Sequence, residues 1–176
     1  MIWSDRGYLL SKNKFGENSL IAEFFTENHG KISGIIYGAT SKKIKNYLQI
    51  GNKFHLNYNF KSENKLGYLK IEIEKIFTPK YFEDKKKLSC ILSSMSLIKL
   101  LTADYQSNAN IFNLIDDFYN FLENEKKVNF IGNSVSLAKA FFMKNNNNKK
   151  FDLKNKIICI KSADPGYDFI FSQKIA

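Results

Sequence analysis

The chain has 176 residues, enough for one ample domain or two small ones and too few for a large multidomain enzyme. Apolar residues make up 44% and aromatics 15%, with only two prolines and nine glycines, a composition that supplies a packed core and excludes the disordered class. A formal charge of +10 points to a polyanion or an acidic partner; it rests on lysine, since Arg6 is the sole arginine, and Lys, Asn, Ile and Phe alone fill 82 positions, as A+T-rich codons would give.

The opening residues, Met1-Ile2-Trp3-Ser4-Asp5-Arg6-Gly7, carry an acid where a signal peptide needs an apolar run, and nowhere do 18 apolar residues follow one another. A soluble protein of the cytoplasm is expected. The first 78 residues then read as strands. A short strand is predicted over 6–11 around Tyr8-Leu9-Leu10, followed by a polar loop over 12–18 that holds Lys12 and Lys14. A second strand covers Leu20 to Phe25, Glu27-Asn28-His29-Gly30 signals a turn, and a third strand covers 31–39. Ile44 and Leu48 lie four apart behind a capping Ser41, which predicts a short helix ended by Gly51. Phe54, Leu56, Tyr58 and Phe60 alternate strictly, as do Leu69, Ile71 and Ile73 with Glu72 and Glu74 opposite, so two half-buried strands flank the charged loop Lys61-Ser62-Glu63-Asn64-Lys65. Three strands, a short helix and two strands within about 80 residues is the order of the OB-fold, a small Greek-key barrel.

After Pro79 the period changes from 2 to 3.6. A helix is predicted over 81–103 with Leu88, Ile91, Leu92, Met95 and Ile98 as its stripe, widened by Leu97, Leu100 and Leu101 into a surface buried on several sides. A second helix, 110–124, carries Ile111, Leu114, Ile115, Phe118, Phe121 and Leu122 on one face. A third, 130–143, carries Ile131, Val135, Leu137, Ala138, Phe141 and Phe142. Residues 145–150 are of low complexity and read as a loop, and two short β-like runs, 156–161 and 169–171, flank the turn Asp164-Pro165-Gly166. The expected class is α+β: an N-terminal OB-fold β-barrel over 1–79, then an α-helical domain over 80–176 with a short β-like C-terminal segment.

The residues offer no catalytic constellation. His29 sits in a turn and His55 in a strand, each without a second imidazole or a cysteine at ligand spacing. Asp116 and Asp117 are adjacent on a helix and point about 100° apart. Gly30, Gly34 and Gly38 recur every four residues but lack the GK[ST] ending of a phosphate loop. Cys90 and Cys159 form no CxxC pair, so no zinc site, disulfide framework or other cofactor is expected. What remains is a basic barrel. Lys42, Lys43 and Lys45 cluster after the third strand, with Lys12 and Lys14 in the first loop and Lys61 and Lys65 in the last, the loops that frame the binding face of an OB-fold. Tyr37, Tyr47, Phe54 and Tyr58 interleave with them. Rings for stacking beside cations for phosphate are what single-stranded nucleic-acid binding requires. Because a small barrel must fill its interior, Phe54 and Tyr58 are assigned to the core and Tyr37 and Tyr47 remain as stacking residues; the competing assignment makes the lysines a solvated rim.

Several strings are specific enough to name a family. Asp5-x-Gly7-Tyr8-Leu9-Leu10, then the run from Phe15-Gly16-Glu17-Asn18 through Glu27-Asn28-His29-Gly30-Lys31 to Gly34, then Tyr37-Gly38-Ala39 followed by Ser41-Lys42-Lys43 and Leu48-Gln49-Ile50-Gly51, resemble the amino-terminal domain of the bacterial RecO family of DNA repair proteins. Trp3-Ser4-Asp5 and Leu48-Gln49-Ile50-Gly51-Asn52 are most like alphaproteobacterial members. The likeness is dense over 3–58, looser through the helices and weak after Phe130. It implies an OB-fold followed by helices, binding of single- and double-stranded DNA, annealing of complementary strands, and mediation of recombination in the nucleoid. The partners it implies are RecR, single-strand-binding protein and, through them, RecA. Two departures are evident: the four-cysteine zinc site of many relatives is missing, only Cys159 standing near that region, and the chain ends earlier than is usual, so it is expected to be shortened at its C-terminus. The barrel alone equally fits an RNA-binding OB protein acting around translation, and the helical half fits a non-catalytic protein-interaction adaptor.

Overall fold

The computed structural model describes residues 2–39, 41–60 and 66–124, with only the backbone at Lys42 and Lys43, and the backbone of two short strands, Ile158–Lys161 and Asp168–Phe171. Strands β1 (Ile2–Phe15), β2 (Ser19–Thr26), β3 (Gly30–Tyr37), β4 (Lys53–Asn59) and β5 (Gly67–Lys75) close into a barrel in the order β1-β2-β3-β5-β4, and helix α1 (Lys42–Tyr47) joins β3 to β4. This is the OB-type barrel that the alternation implied. Every pairing is antiparallel except the seam, where β3 meets β5 in parallel through Gly34↔Gly67 and Ile35↔Tyr68. The seam needs glycine: a Cβ on Gly67 would lie 2.5 Å from Cζ of Tyr58, whose hydroxyl accepts from Gly67 N at 3.1 Å and donates to Ser33 O at 3.2 Å.

Two cores lie on opposite sides of the barrel wall. Inside, Leu9, Ala22, Phe24, Ile32, Ile36, Phe54, Leu56, Tyr58 and Leu69 fill the barrel, and Leu48 closes it below α1. Outside, Tyr8, Leu10 and Phe25 face away from the interior and join Phe77, Tyr81 and the buried faces of α2 (Lys85–Leu101) and α3 (Ala109–Asn124). Strand β1 thus buries both faces, which explains its unbroken Tyr8-Leu9-Leu10 run. Tyr119 of α3 donates to Gly51 O at 2.6 Å and stacks on Phe77 with ring centres 3.7 Å apart, so the helices are keyed to the barrel by polar as well as apolar contacts.

Several expected boundaries and faces move. The first strand does not end at Ser11: after a register shift between Leu9 and Ser11 it continues to Phe15, held by Lys12↔Ala22 and Lys14↔Leu20. The loop is only Gly16-Glu17-Asn18. The first long helix starts later than predicted, because Thr78–Tyr81 forms a 3-10 turn and Asp84 then caps α2, accepting from Lys86 N and Lys87 N at 3.1 Å each. Leu100 and Leu101 are more than half exposed, so the end of α2 is not buried on several sides. Its buried face includes Lys87 and Ser94 instead, with Lys87 Nζ donating to Leu122 O at 2.6 Å in the last turn of α3. On α3 the buried set is Phe112, Ile115, Phe118, Tyr119 and Leu122, turned one position from the predicted stripe, and Ile111, Leu114 and Phe121 are half-buried. Ile158–Lys161 (β6) and Asp168–Phe171 (β7) fall on the two β-like runs, and they pair antiparallel. The predicted third helix over 130–143 and the loop over 145–150 lie outside the described residues. No helix among the described residues is long and apolar enough to cross a membrane.

Candidate nucleic-acid interface

One end of the barrel gathers most of the residues picked out for binding. By register Phe15 lies opposite Ser19, and Ser19 opposite Tyr37, so the tips of β1, β2 and β3 meet there. Beyond Tyr37 the chain turns through Gly38, at φ 65°, with Ser41 N donating to Gly38 O at 3.0 Å, and enters α1. Ser41 caps that helix as expected, accepting from Ile44 N at 3.5 Å. Ile44 and Tyr47 are half-buried and pack against the interior, so the basic positions of α1, Lys42, Lys43 and Lys45, fall on the helix that roofs this end, with Lys45 exposed.

Lys12 and Lys14 are strand residues at the same end, not loop residues, and they differ from one another. Lys14 is exposed. Lys12 is half-buried and donates to the carbonyl of Leu48 at the C-terminus of α1. Burial lowers its ammonium pKa, and the charge of Lys45 adds a second lowering push. Lys61 and Lys65 lie outside the described residues.

The aromatics separate cleanly. Phe54 and Tyr58 are core, as assigned. Tyr47 is half-buried with its ring 6.2 Å from Phe54, so packing already accounts for it. Tyr37 is 61% exposed and stacks on Tyr68 of β5, ring centres 5.3 Å apart at 29°. The neighbouring Tyr68 hydroxyl is the main reason the Tyr37 phenol is held above its ordinary pKa. Tyr68 was missed by the sequence reading, although the signal was there: Leu69, Ile71 and Ile73 mark the inward register, so Tyr68 and Lys70 must face out.

Elsewhere the titratable residues serve the fold. Asp5 is nearly fully buried and takes hydrogen bonds from Arg6 N (2.8 Å), Asn28 N (3.0 Å) and Asn28 Nδ2 (2.9 Å), and it meets His29 Nδ1 at 2.7 Å. Burial pushes its pKa up, but the His29 and backbone hydrogen bonds together pull it below the ordinary carboxylate value. His29 stacks flat on Trp3, 3.8 Å between centres. Asp116 binds Lys53 at 3.0 Å and accepts from the Tyr8 hydroxyl, while Asp117 is exposed. Cys90 is fully buried in the helical core, its thiol pushed up to about 11 by burial. Among the described residues no three of His, Cys, Asp and Glu come together as metal ligands would. A polar hollow lined by Ser4, Arg6, Glu27, Asn28, His55 and Asn57 includes none of the lysines or tyrosines above.

Residues 1–77, the barrel and its last strand, match the family model "Recombination protein O N terminal". The chain is 30% identical over 123 residues to "DNA repair protein RecO" of Wolbachia pipientis subsp. Culex pipiens, covering 70% of this chain and 49% of that protein. To the protein of the same name from Rickettsia canadensis it is 31% identical over 136 residues, 77% of this chain and 55% of the other. With that of Ruegeria sp. (strain TM1040) it shares 39% identity over 72 residues, 41% of this chain and 30% of the other. The chain spans about half the length of the curated relatives it matches. The barrel is therefore a RecO amino-terminal domain.

Proposed function

We propose that the chain is a non-enzymatic DNA-binding protein of recombinational repair, which holds single- and double-stranded DNA and anneals complementary strands. The observation that supports this most is the convergence of Lys12, Lys14, Lys45 and the helix bearing Lys42 and Lys43 on one end of a barrel of RecO type. Lysine suits annealing. Ammonium groups on long stems neutralise two phosphate backbones without occupying the base edges that must pair. The held ammonium of Lys12 makes it a fixed point in this arrangement, with the exposed Lys14 and Lys45 as the adaptable contacts; Lys42, Lys43, Lys61 and Lys65 are proposed as further phosphate contacts. RecR and single-strand-binding protein are the proposed partners, with RecA loaded downstream, and the setting is the cytoplasmic nucleoid. The proposed boundary between barrel and helical domain is at residue 79.

The reading is tested by competition at fixed salt between DNA and RNA oligonucleotides of one sequence for the full chain. Preference for DNA, with both single strands and duplex bound, is expected. Preference for RNA would assign the barrel to RNA binding around translation, and binding of neither would leave a protein-interaction adaptor.

A further inference from the structure

Three exposed aromatic rings share the outward face of the barrel beside the lysine-bearing end. Tyr37 is 61%, Phe15 48% and Tyr68 40% exposed. The row Phe15, Ser19, Tyr37 crosses β1, β2 and β3, and directly opposed residues of a sheet project to the same side. Ile35, which precedes Tyr37 by two and shares its face, pairs with Tyr68 across the seam. The interior ladder is made by Ile36 and Leu69, the immediate neighbours of these positions, so the three rings point out. Adjacent strands are about 4.8 Å apart, which sets Phe15 about 10 Å from Tyr37, across the small Ser19. Cations frame the row. Lys70 follows Tyr68 by two on the same exposed side, Lys14 stands beside Phe15 at the end of β1 but on the other face of the strand, and α1 begins five positions after Tyr37. Glu17 in the β1–β2 turn and Glu72 farther along β5 are the nearby acids by sequence position.

Burial does not account for the pair. Tyr37 and Tyr68 rest on each other and leave their remaining surfaces in water, a disposition that favours a flat, partly apolar ligand. We propose that Tyr37 and Tyr68, with Phe15 as an outlying ring, form a short stacking ledge that takes one or two unpaired bases of single-stranded DNA while the flanking lysines hold its phosphates. This rests on the DNA-binding reading above and deepens it. A ledge this short anchors a strand at a point and leaves the neighbouring bases free to pair, whereas a continuous aromatic track would sequester them.

The test uses the full chain with Tyr37→Leu, Tyr68→Leu and the conservative Tyr37→Phe and Tyr68→Phe, binding a single-stranded oligodeoxynucleotide that carries 2-aminopurine and a duplex of equal length. The leucine variants should lose about 5-fold or more in single-strand affinity, with the 2-aminopurine stacking signal, and change duplex affinity less than about 2-fold. The phenylalanine variants keep the ring and should bind like the parent. Thermal melting separates a folding defect: a leucine variant that melts like the parent and binds single strands equally well overturns the ledge and leaves the DNA-binding reading standing. Equal losses for single strand and duplex also overturn it. A parent that binds neither DNA overturns both.

Discussion

Asp5 shows what a single carboxylate does in the β2–β3 connection. It lies in β1 and gathers the turn residues Asn28 and His29 by three contacts, so the turn signalled by Glu27-Asn28-His29-Gly30 is tied to a strand 23 positions earlier. Because its folded pKa is lowered, its stabilisation is complete above the unfolded value near 4 and is lost as pH falls through the folded one. Urea unfolding between pH 2 and 6 should therefore show the parent losing stability below about pH 4, and Asp5→Ala should be less stable at pH 6 by about 1–3 kcal/mol with a flatter acid limb. An unchanged limb in the variant would remove Asp5 from this role. Lys53 provides a second case. It is 6% exposed, sits over the rings of Tyr8 and Phe112, and answers to Asp116. Asp116→Ala strands that ammonium with Glu74 at 3.9 Å, and since Asp116 is itself partly exposed the expected cost is about 1–3 kcal/mol in the same unfolding measurement.

Among the elements, those with a strong period were readable in the sequence and those held by partners were not. Phe54, Leu56 and Tyr58 declare β4 because alternate residues fill the barrel, and Ser41, Ile44 and Leu48 declare α1 by cap and spacing. The far half of β1 has no such pattern: Ser11, Lys12, Asn13 and Lys14 are polar, and only their pairing with Glu23, Ala22, Ile21 and Leu20 makes them strand. That error displaced two site lysines from a strand to a loop. The α2 boundary slipped because Pro79 and Tyr81 belong to a separate 3-10 turn, and Lys87 was unreadable as a buried residue because its partner is a carbonyl 35 positions away. Asp84→Ala removes the acceptor for two amides at the start of α2 and should cost about 1 kcal/mol by thermal or chemical denaturation. No change would mean that packing alone fixes where α2 begins. Gly30 marks another partner-dependent site: its φ is 68°, and a Cβ there would fall 2.1 Å from Gln106 O, in the segment that joins α2 to α3.

For the molecule as a whole, the arrangement of its two cores decides which surface is open. Among the described residues, α2 and α3 cover the outward sides of Tyr8, Leu10 and Phe25, while Tyr37, Tyr68 and Lys45 stay exposed. The candidate site takes its lysines and Tyr37 from the sequence; Tyr68 joins it only because the β3–β5 seam places that ring beside Tyr37, and Tyr47 is set aside because its half-buried ring packs near Phe54. If the α1 lysines contact phosphate, replacing Lys42, Lys43 and Lys45 together by Ala should lower the magnitude of the slope of log K against log salt by roughly 2 to 3, at about 0.7 to 0.9 for each contact. An unchanged slope would make that end of the barrel merely solvated. Annealing is measured as the renaturation rate of two labelled complementary DNA oligonucleotides with and without the full chain, without ATP or metal, over a range of salt. Faster renaturation that falls steeply as salt rises is expected. Tight binding that slows renaturation would contradict it and make this barrel one that protects single strands.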